Sequence, residues 1–189
     1  MVATDGGCAD TFGGRAGWGI AYGTEGDIRV SGALPGPWQT AQRAEVYAVL
    51  VAVTLLTGPI TLVTDSRYVH DRIELFPKGH RPQGAHEDLW SIVFEKRHSI
   101  ASVMWGKAHL TLEEAQARGI PADLWGLNAR ADEGATLGIE AHIEDPGYWA
   151  LYRFRCQRII SWQSHLLSIY RMRRRCKACK APAPPRASR

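Results

Sequence analysis

Three acidic residues stand where chemistry can be built from them. Asp65 lies in TLVTDSRYV (61–69), at the carboxyl end of an apolar strand and just before a helical period. Asp5 follows the short strand VAT (2–4) and precedes Gly6-Gly7. Glu45 lies in TAQRAEVYAVL (40–50), within the first turn and a half of a helix. Each has a plain structural reading. Asp65 can cap a helix, Asp5 can serve a turn, and Glu45 suits the positive end of a helix dipole. Together they read differently. If the first and fourth strands are neighbours, both aspartates leave the same edge of the sheet, and carboxylates that converge repel unless cations sit between them. A donor set of oxygens, with no Cys or His, selects Mg²⁺ or Mn²⁺ over Zn²⁺.

The elements that must position these acids follow from periodicity. Residues 2–4 read as a strand stub ending at Asp5, and GGCADTFGGRAG (6–17) as a Gly-rich turn. Trp18, Ile20 and Tyr22 alternate with small residues, as in a strand, and Ile28 and Val30 open another. Short turns join them, so an antiparallel meander is expected. Thr40 can cap a helix whose apolar positions Val46, Val49, Leu50 and Val53 share one face. Gly58-Pro59 ends it. After the strand before Asp65 come a helix from about Ser66 and another from near Glu87. Ser102–Trp105 reads as a fifth strand, and a long loop leads to a last helix around Asn128–Leu137. The order β-β-β-α-β-α-α-β-α predicts an α/β fold, a mixed sheet with helices on it.

Charge divides the chain. Residues 1–145 hold 12 Lys and Arg against all 19 Asp and Glu, a net of −7, and residues 146–189 hold 11 Lys and Arg with no acid. The change falls at Asp145-Pro146-Gly147. The expected organisation is a globular domain over 1–145, a basic amphipathic helical extension over 146–175, and a disordered Pro/Ala-rich basic tail over 176–189. No stretch of ~18 apolar residues exists, so no membrane span is expected. The first residues carry no secretory pattern. Four cysteines in 189 residues are too sparse for a disulfide scaffold, which points to a reducing, intracellular setting, cytoplasm or nucleus.

The succession TDGG (4–7), TAQRAEVYAVL (40–50), TDSRYV (64–69), WGKAH (105–109) and NARADEGA (128–135) resembles type I ribonuclease H, in that family's order. The form QRAE is closer to the domains attached to retroelement reverse transcriptases than to free-standing cellular enzymes. The resemblance implies a five-stranded mixed sheet with helices on both faces. It implies a metal site of Asp5, Glu45, Asp65 and Asp132 holding two Mg²⁺ ions, which Mn²⁺ can replace. It implies hydrolysis of the RNA strand of RNA·DNA hybrids, with a reverse transcriptase or other polyprotein region as a further partner. His109 matches the mobile histidine before the last aspartate, expected to shuttle a proton or help release product; the alternative is a surface loop histidine. Gln42 matches a position that touches the hybrid, and Ser66, Gly6 and Asn128 join it as expected substrate contacts. Arg43 reads equally as a substrate contact or a salt-bridge residue. One rival reading is a domain of the same fold with a different nuclease role, such as cleavage of structured RNA or DNA; the other is an inactive hybrid-binding or connection domain, against which the four intact acids argue.

Three features depart from the family pattern. The basic helical protrusion of many cellular members is reduced to a short segment with Lys78 and Arg81. The loop from His109 to Asp132 is long, and its TLEEAQAR (111–118) can form a helical turn. Past residue 145, positions 149, 152, 156, 159, 163, 166 and 170 recur at a spacing of three and four, with Arg153, Arg155 and Arg158 between them, as in a basic amphipathic helix. Cys176 and Cys179 form half a zinc site; Cys156 and His165 could complete it, but the spacing matches no zinc finger.

Overall fold

Strand β1 (Val2–Ala9) is the axis of the fold, because two ladders meet on it. The computed structural model describes residues 1–9, 14–23, 28–107, 110–142 and 146–175. Along its whole length β1 pairs antiparallel with β2 (Arg15–Tyr22), from Val2 opposite Tyr22 to Ala9 opposite Arg15. β2 pairs with β3 (Ile28–Ala33), completing a meander. On its other side β1 runs parallel to β4 (Ile60–Thr64), but only at Val2 and Ala3. β4 in turn runs parallel to β5 (Ile100–Trp105). The sheet is five-stranded and mixed, in the order β3-β2-β1-β4-β5.

Here the structure corrects one expectation. Asp5 does not end the first strand, and residues 6–9 are not a turn. They continue as strand because β2 offers Gly19, Trp18, Gly17, Ala16 and Arg15 as partners for residues 5–9. What stops after Ala3 is the ladder to β4. Asp5 is therefore paired on one side and open on the other.

The strands alternate between two helical layers. Val2, Ile20 and Leu62 join one apolar cluster with Val46, Val49 and Val53 of α1 (Ala41–Leu55), Val69 of α2 (Arg67–Ile73) and Trp90 of α3 (Glu87–Glu95). Their neighbours Ala3, Ala21 and Val63 point the other way, onto Leu127 and Ala131 of α5 (Ala122–Glu140). This is period-two burial on both faces, as a covered sheet requires. Thr40 caps α1, its Oγ1 accepting from Arg43 N at 3.2 Å. The short α4 (Leu112–Ala117) is closed at its start by a capping box of Thr111 and Glu114.

The chain divides into two compact units, Met1–Ile143 and Glu144–Arg189. The second unit contains α6 (Pro146–Arg175), a helix of 30 residues. Within it Arg158 lies over Phe154 and Arg174 over Tyr170. Among the described residues no helix is long and apolar enough to cross a membrane.

Candidate active site

Register brings the two aspartates together. Val2 and Ala3 face Leu62 and Val63, so two residues further on Asp5, within β1, stands beside Asp65, just past the end of β4. Glu45 arrives from above on α1, and the reason is Gly6. A Cβ on Gly6 would fall 2.2 Å from the backbone nitrogen of Glu45. Only a residue without a side chain lets the helix backbone press onto β1 there. Asp5, Glu45 and Asp65 each offer a carboxylate oxygen within 4.8 Å of the others.

Asp132 comes from the opposite layer. Its helix, α5, lies directly on β2, where a Cβ on Gly19 would meet the carbonyl oxygen of Ala131 at 2.2 Å. That contact seats the turn of helix carrying Asp132. Asp132 comes close enough to Asp5 for its charge to raise the Asp5 carboxyl. All four acids thus converge from four elements: β1, α1, the end of β4, and α5.

The electrostatic cost is large. Burial raises the Asp5 carboxyl to about 7, helped by the charges of Asp65 and Asp132 and opposed by a hydrogen bond from the backbone of Gly6. Burial raises Glu45 to about 10, and the charges of Asp5 and Asp65 add to it. Glu45 Oε2 is buried with no hydrogen-bond partner. A buried carboxylate oxygen without a partner is destabilising on its own. An oxygen-only donor set, crowded and short of compensating donors, is what a hard divalent cation completes. The residues therefore fit such an ion.

The neutral candidates differ in their surroundings. Gln42 is exposed on the first turn of α1. Ser66 is the N-cap of α2, yet its hydroxyl makes no capping bond. Asn128 lies one turn before Asp132 and has a buried Oδ1 without a partner. It lines a cavity of about 330 Å³ together with Asp65, Asp132, Trp105, Leu124 and Trp125. Gly6 has a packing task, described above. His109, Cys176 and Cys179 lie outside the described residues. Arg43 is a salt-bridge residue: its guanidinium binds both oxygens of Asp88, at 2.9 and 2.5 Å.

Two contacts were not anticipated from the sequence. Trp105 Nε1 donates to the carbonyl oxygen of Asp65 at 2.9 Å, tying the end of β5 to the turn that carries Asp65. Trp125 Nε1 donates to the carbonyl oxygen of Leu110 at 2.7 Å, holding the loop before α4 against α5. The tryptophan in WGKAH was visible as a motif member, but nothing in the spacing told that its ring nitrogen is a strut.

The family model for RNase H matches residues 1–140. No curated protein matches the chain in sequence. Among solved structures, the chain is similar to the foamy viral protease-reverse transcriptase in complex with an RNA/DNA hybrid, at 23% identity and a TM-score of 0.53, covering 73% of this chain and 19% of that one. It is also similar to the foamy viral protease-reverse transcriptase in complex with dsDNA, at 22% identity and a TM-score of 0.51, covering 72% of this chain and 91% of that one. A third similar structure is the N-terminal RNase H domain of a Mycobacterium tuberculosis protein, fused to maltose binding protein, at 16% identity and a TM-score of 0.48, with 74% and 94% covered. At these identities the first two establish the fold. The family model spans most of the chain, which belongs to the ribonuclease H family.

Proposed function

We propose that this member of the ribonuclease H family is an endonuclease that hydrolyses the RNA strand of RNA·DNA hybrids, using Mg²⁺, or Mn²⁺ in its place, at Asp5, Glu45, Asp65 and Asp132. One observation carries the reading: carboxylates from β1, α1 and β4 meet within 4.8 Å although burial and mutual repulsion oppose it. Asp5, Glu45, Asp65 and Asp132 would hold a pair of divalent ions, which would supply an activated water and charge stabilisation for the departing oxygen of a phosphodiester.

The chain's own residues supply the rest. Burial raises both Asp5 and Glu45, so a cation binding there would compete with protons. Asp65 and Asp132 line the cavity and leave the cluster open on that side. Gln42 and the Ser66 hydroxyl stand beside the acids as neutral hydrogen-bonding groups. They suit the 2′-hydroxyls shown in the wide, shallow minor groove of a hybrid, the feature that separates RNA from DNA. Asn128 and the backbone at Gly6 extend that polar rim. His109 is assigned a late proton transfer or product release. That the foamy viral relative is described in complex with an RNA/DNA hybrid supports the substrate, and a reverse transcriptase polypeptide as the setting.

A gel assay tests the reading. End-labelled hybrid, duplex RNA and duplex DNA are incubated with the full chain in Mg²⁺ or EDTA. Cleavage confined to the RNA of the hybrid, and abolished by EDTA, is expected. Cleavage of duplex RNA or DNA at equal rate would assign another nuclease role, and binding without cleavage would make the domain a hybrid-binding module.

A further inference from the structure

Trp38 is the most exposed large apolar side chain among the described residues of Met1–Ile143, at 64%. A lone exposed tryptophan needs no explanation, but this one is built into place. It sits in LPGPWQT (34–40), where two prolines stiffen the chain. The side chain of Gln39 next to it donates to the carbonyl oxygens of Leu34 and Gly36 and accepts from Ala16 N, at 2.8, 2.6 and 2.8 Å. The guanidinium of Arg43 lies over the Trp38 ring, 5.4 Å from its centre, and Asp88 holds that guanidinium with two hydrogen bonds.

The same three-part device occurs a second time. Arg67 lies over the ring of Trp105, 5.2 Å from its centre, and is held by Asp71 at 3.1 Å. Trp105 is 44% exposed, and its ring nitrogen is fixed on the Asp65 carbonyl. The two devices fall on opposite sides of the acids. The Trp38 segment is pinned to Ala16 at the start of β2, whereas Trp105 ends β5. Across the sheet, β1 with Asp5 and β4 with Asp65 lie between.

We propose that Trp38 and Trp105 are two stacking platforms that grip nucleotides on either side of the cleavage position, through the flat faces of sugar and base and without regard to sequence. The proposal rests on the nuclease reading above. Each arginine backs its tryptophan while a carboxylate balances its charge, so each platform is close to neutral. That suits a domain with 12 Lys and Arg against 19 Asp and Glu in residues 1–145, which cannot rely on phosphate attraction. Base–aromatic stacking tolerates sequence because every base has a π-face. Its contribution also leaves counterion release untouched, which separates it from a phosphate contact.

The test measures affinity of the full chain for a labelled hybrid by fluorescence anisotropy in Mg²⁺, over a series of salt concentrations, in an Asp65→Asn background to prevent cutting. Trp38→Ala and Trp105→Ala are each expected to weaken binding roughly 5- to 150-fold, the range for loss of one stacked base. The slope of log K against log salt stays the same, and Trp38→Phe keeps most of the affinity. Melting temperatures identify a variant that has lost its fold; Trp38→Ala, which removes an exposed ring with no hydrogen bond to an acid-bearing turn, then decides alone. Unchanged affinity in Trp38→Ala overturns the proposal, and so does a shallower slope, which would assign the loss to phosphates. Cleavage by the parent chain is scored separately. A parent that cuts hybrid with indifferent tryptophans sinks the platforms only; tryptophan variants that bind weakly beside a parent that never cuts sink the nuclease reading only.

Discussion

Asp5→Asn should make the metal-free protein more stable, and by an amount that depends on pH. In the unfolded chain Asp5 ionises near its ordinary 3.8; in the fold, burial and the charges of Asp65 and Asp132 delay this to about 7. Between those values the folded state holds the extra proton, so stability falls as pH rises, and the loss is complete above about 7. About three pH units at ~1.4 kcal/mol each give ~4 kcal/mol as the upper limit. The asparagine oxygen still accepts from the Gly6 backbone, so little is lost in exchange. For a chain of this size, ~4 kcal/mol corresponds to a rise in Tm of roughly 10 °C. The assay is thermal unfolding in EDTA at pH 5, 8 and 9. At pH 8 the variant should melt roughly 10 °C above the parent; at pH 5, where little over one unit separates the pH from 3.8, by roughly a third of that. Glu45→Gln is the internal comparison. Glu45 is raised from 4.5 to about 10, so the folded parent still holds this proton at pH 8 while the unfolded chain has lost it. The advantage of Glu45→Gln over the parent should therefore keep growing from pH 8 to pH 9, where that of Asp5→Asn has levelled off. Adding Mg²⁺ at a hundred times its Kd should restore ~2.7 kcal/mol to the parent and little to Asp5→Asn. An Asp5→Asn protein no more stable than the parent at pH 8, beside a parent whose Tm is flat from pH 5 to 8, would refute the crowded-carboxylate account.

Other outcomes follow from the same geometry. Asp65→Asn should abolish hybrid cleavage in Mg²⁺ while Tm in EDTA holds or rises; cleavage at the parent rate would remove Asp65 from the metal site. Gln42→Ala should raise KM about tenfold or less, the scale of one hydrogen bond to a neutral sugar group, and an effect on kcat alone would speak against a sugar contact. Gly19→Ala should cost roughly 1–3 kcal/mol in urea denaturation, because its Cβ meets backbone rather than a movable side chain. It should lower kcat as well, by shifting the turn that carries Asp132; full activity would show that α5 accommodates the methyl. Ending the chain after Gly147 removes 11 cations and no acid. KM should rise and the salt slope flatten by a few units, at ~0.9 for each phosphate no longer neutralised, with saturated turnover retained; an unchanged slope would leave α6 to another partner.

The contrast between what the sequence shows and what it hides lies in the glycines. Alternation at Trp18, Ile20 and Tyr22 and the helical period of Val46, Val49 and Val53 were legible because burial selects side chains, and side chains are what a sequence lists. The five strands and the helical layers followed from them. By sequence alone Gly6, Gly7 and Gly17 suit a loop, because glycine is common in turns. In the fold they are strand residues, and Gly6 and Gly17 are glycine because helix backbone lies where a Cβ would be. The local pattern of a turn and that of a close helix–sheet contact are the same letters. Only the partner tells them apart, and the partner is far away in the chain: Glu45 for Gly6, Ala135 and Ile139 for Gly17.

That ambiguity bears on the site itself. The acids could be picked out by type and by position at element ends, but their meeting depends on how closely α1 and α5 approach the sheet. A single methyl at Gly6 or Gly19 would hold its helix away from the strand, and with it Glu45 or Asp132. The site's repulsion pushes in the same direction, since raised carboxyl groups at Asp5 and Glu45 favour separation of β1 from α1. What resists is apolar packing beneath them, where Val46 and Val49 are fully buried against Val2, Ile20 and Leu62. The cluster is therefore held by its floor, not by its own contacts. Weakening that floor should act on metal affinity before it acts on the chemistry, because the ligands must first be kept together against their charge.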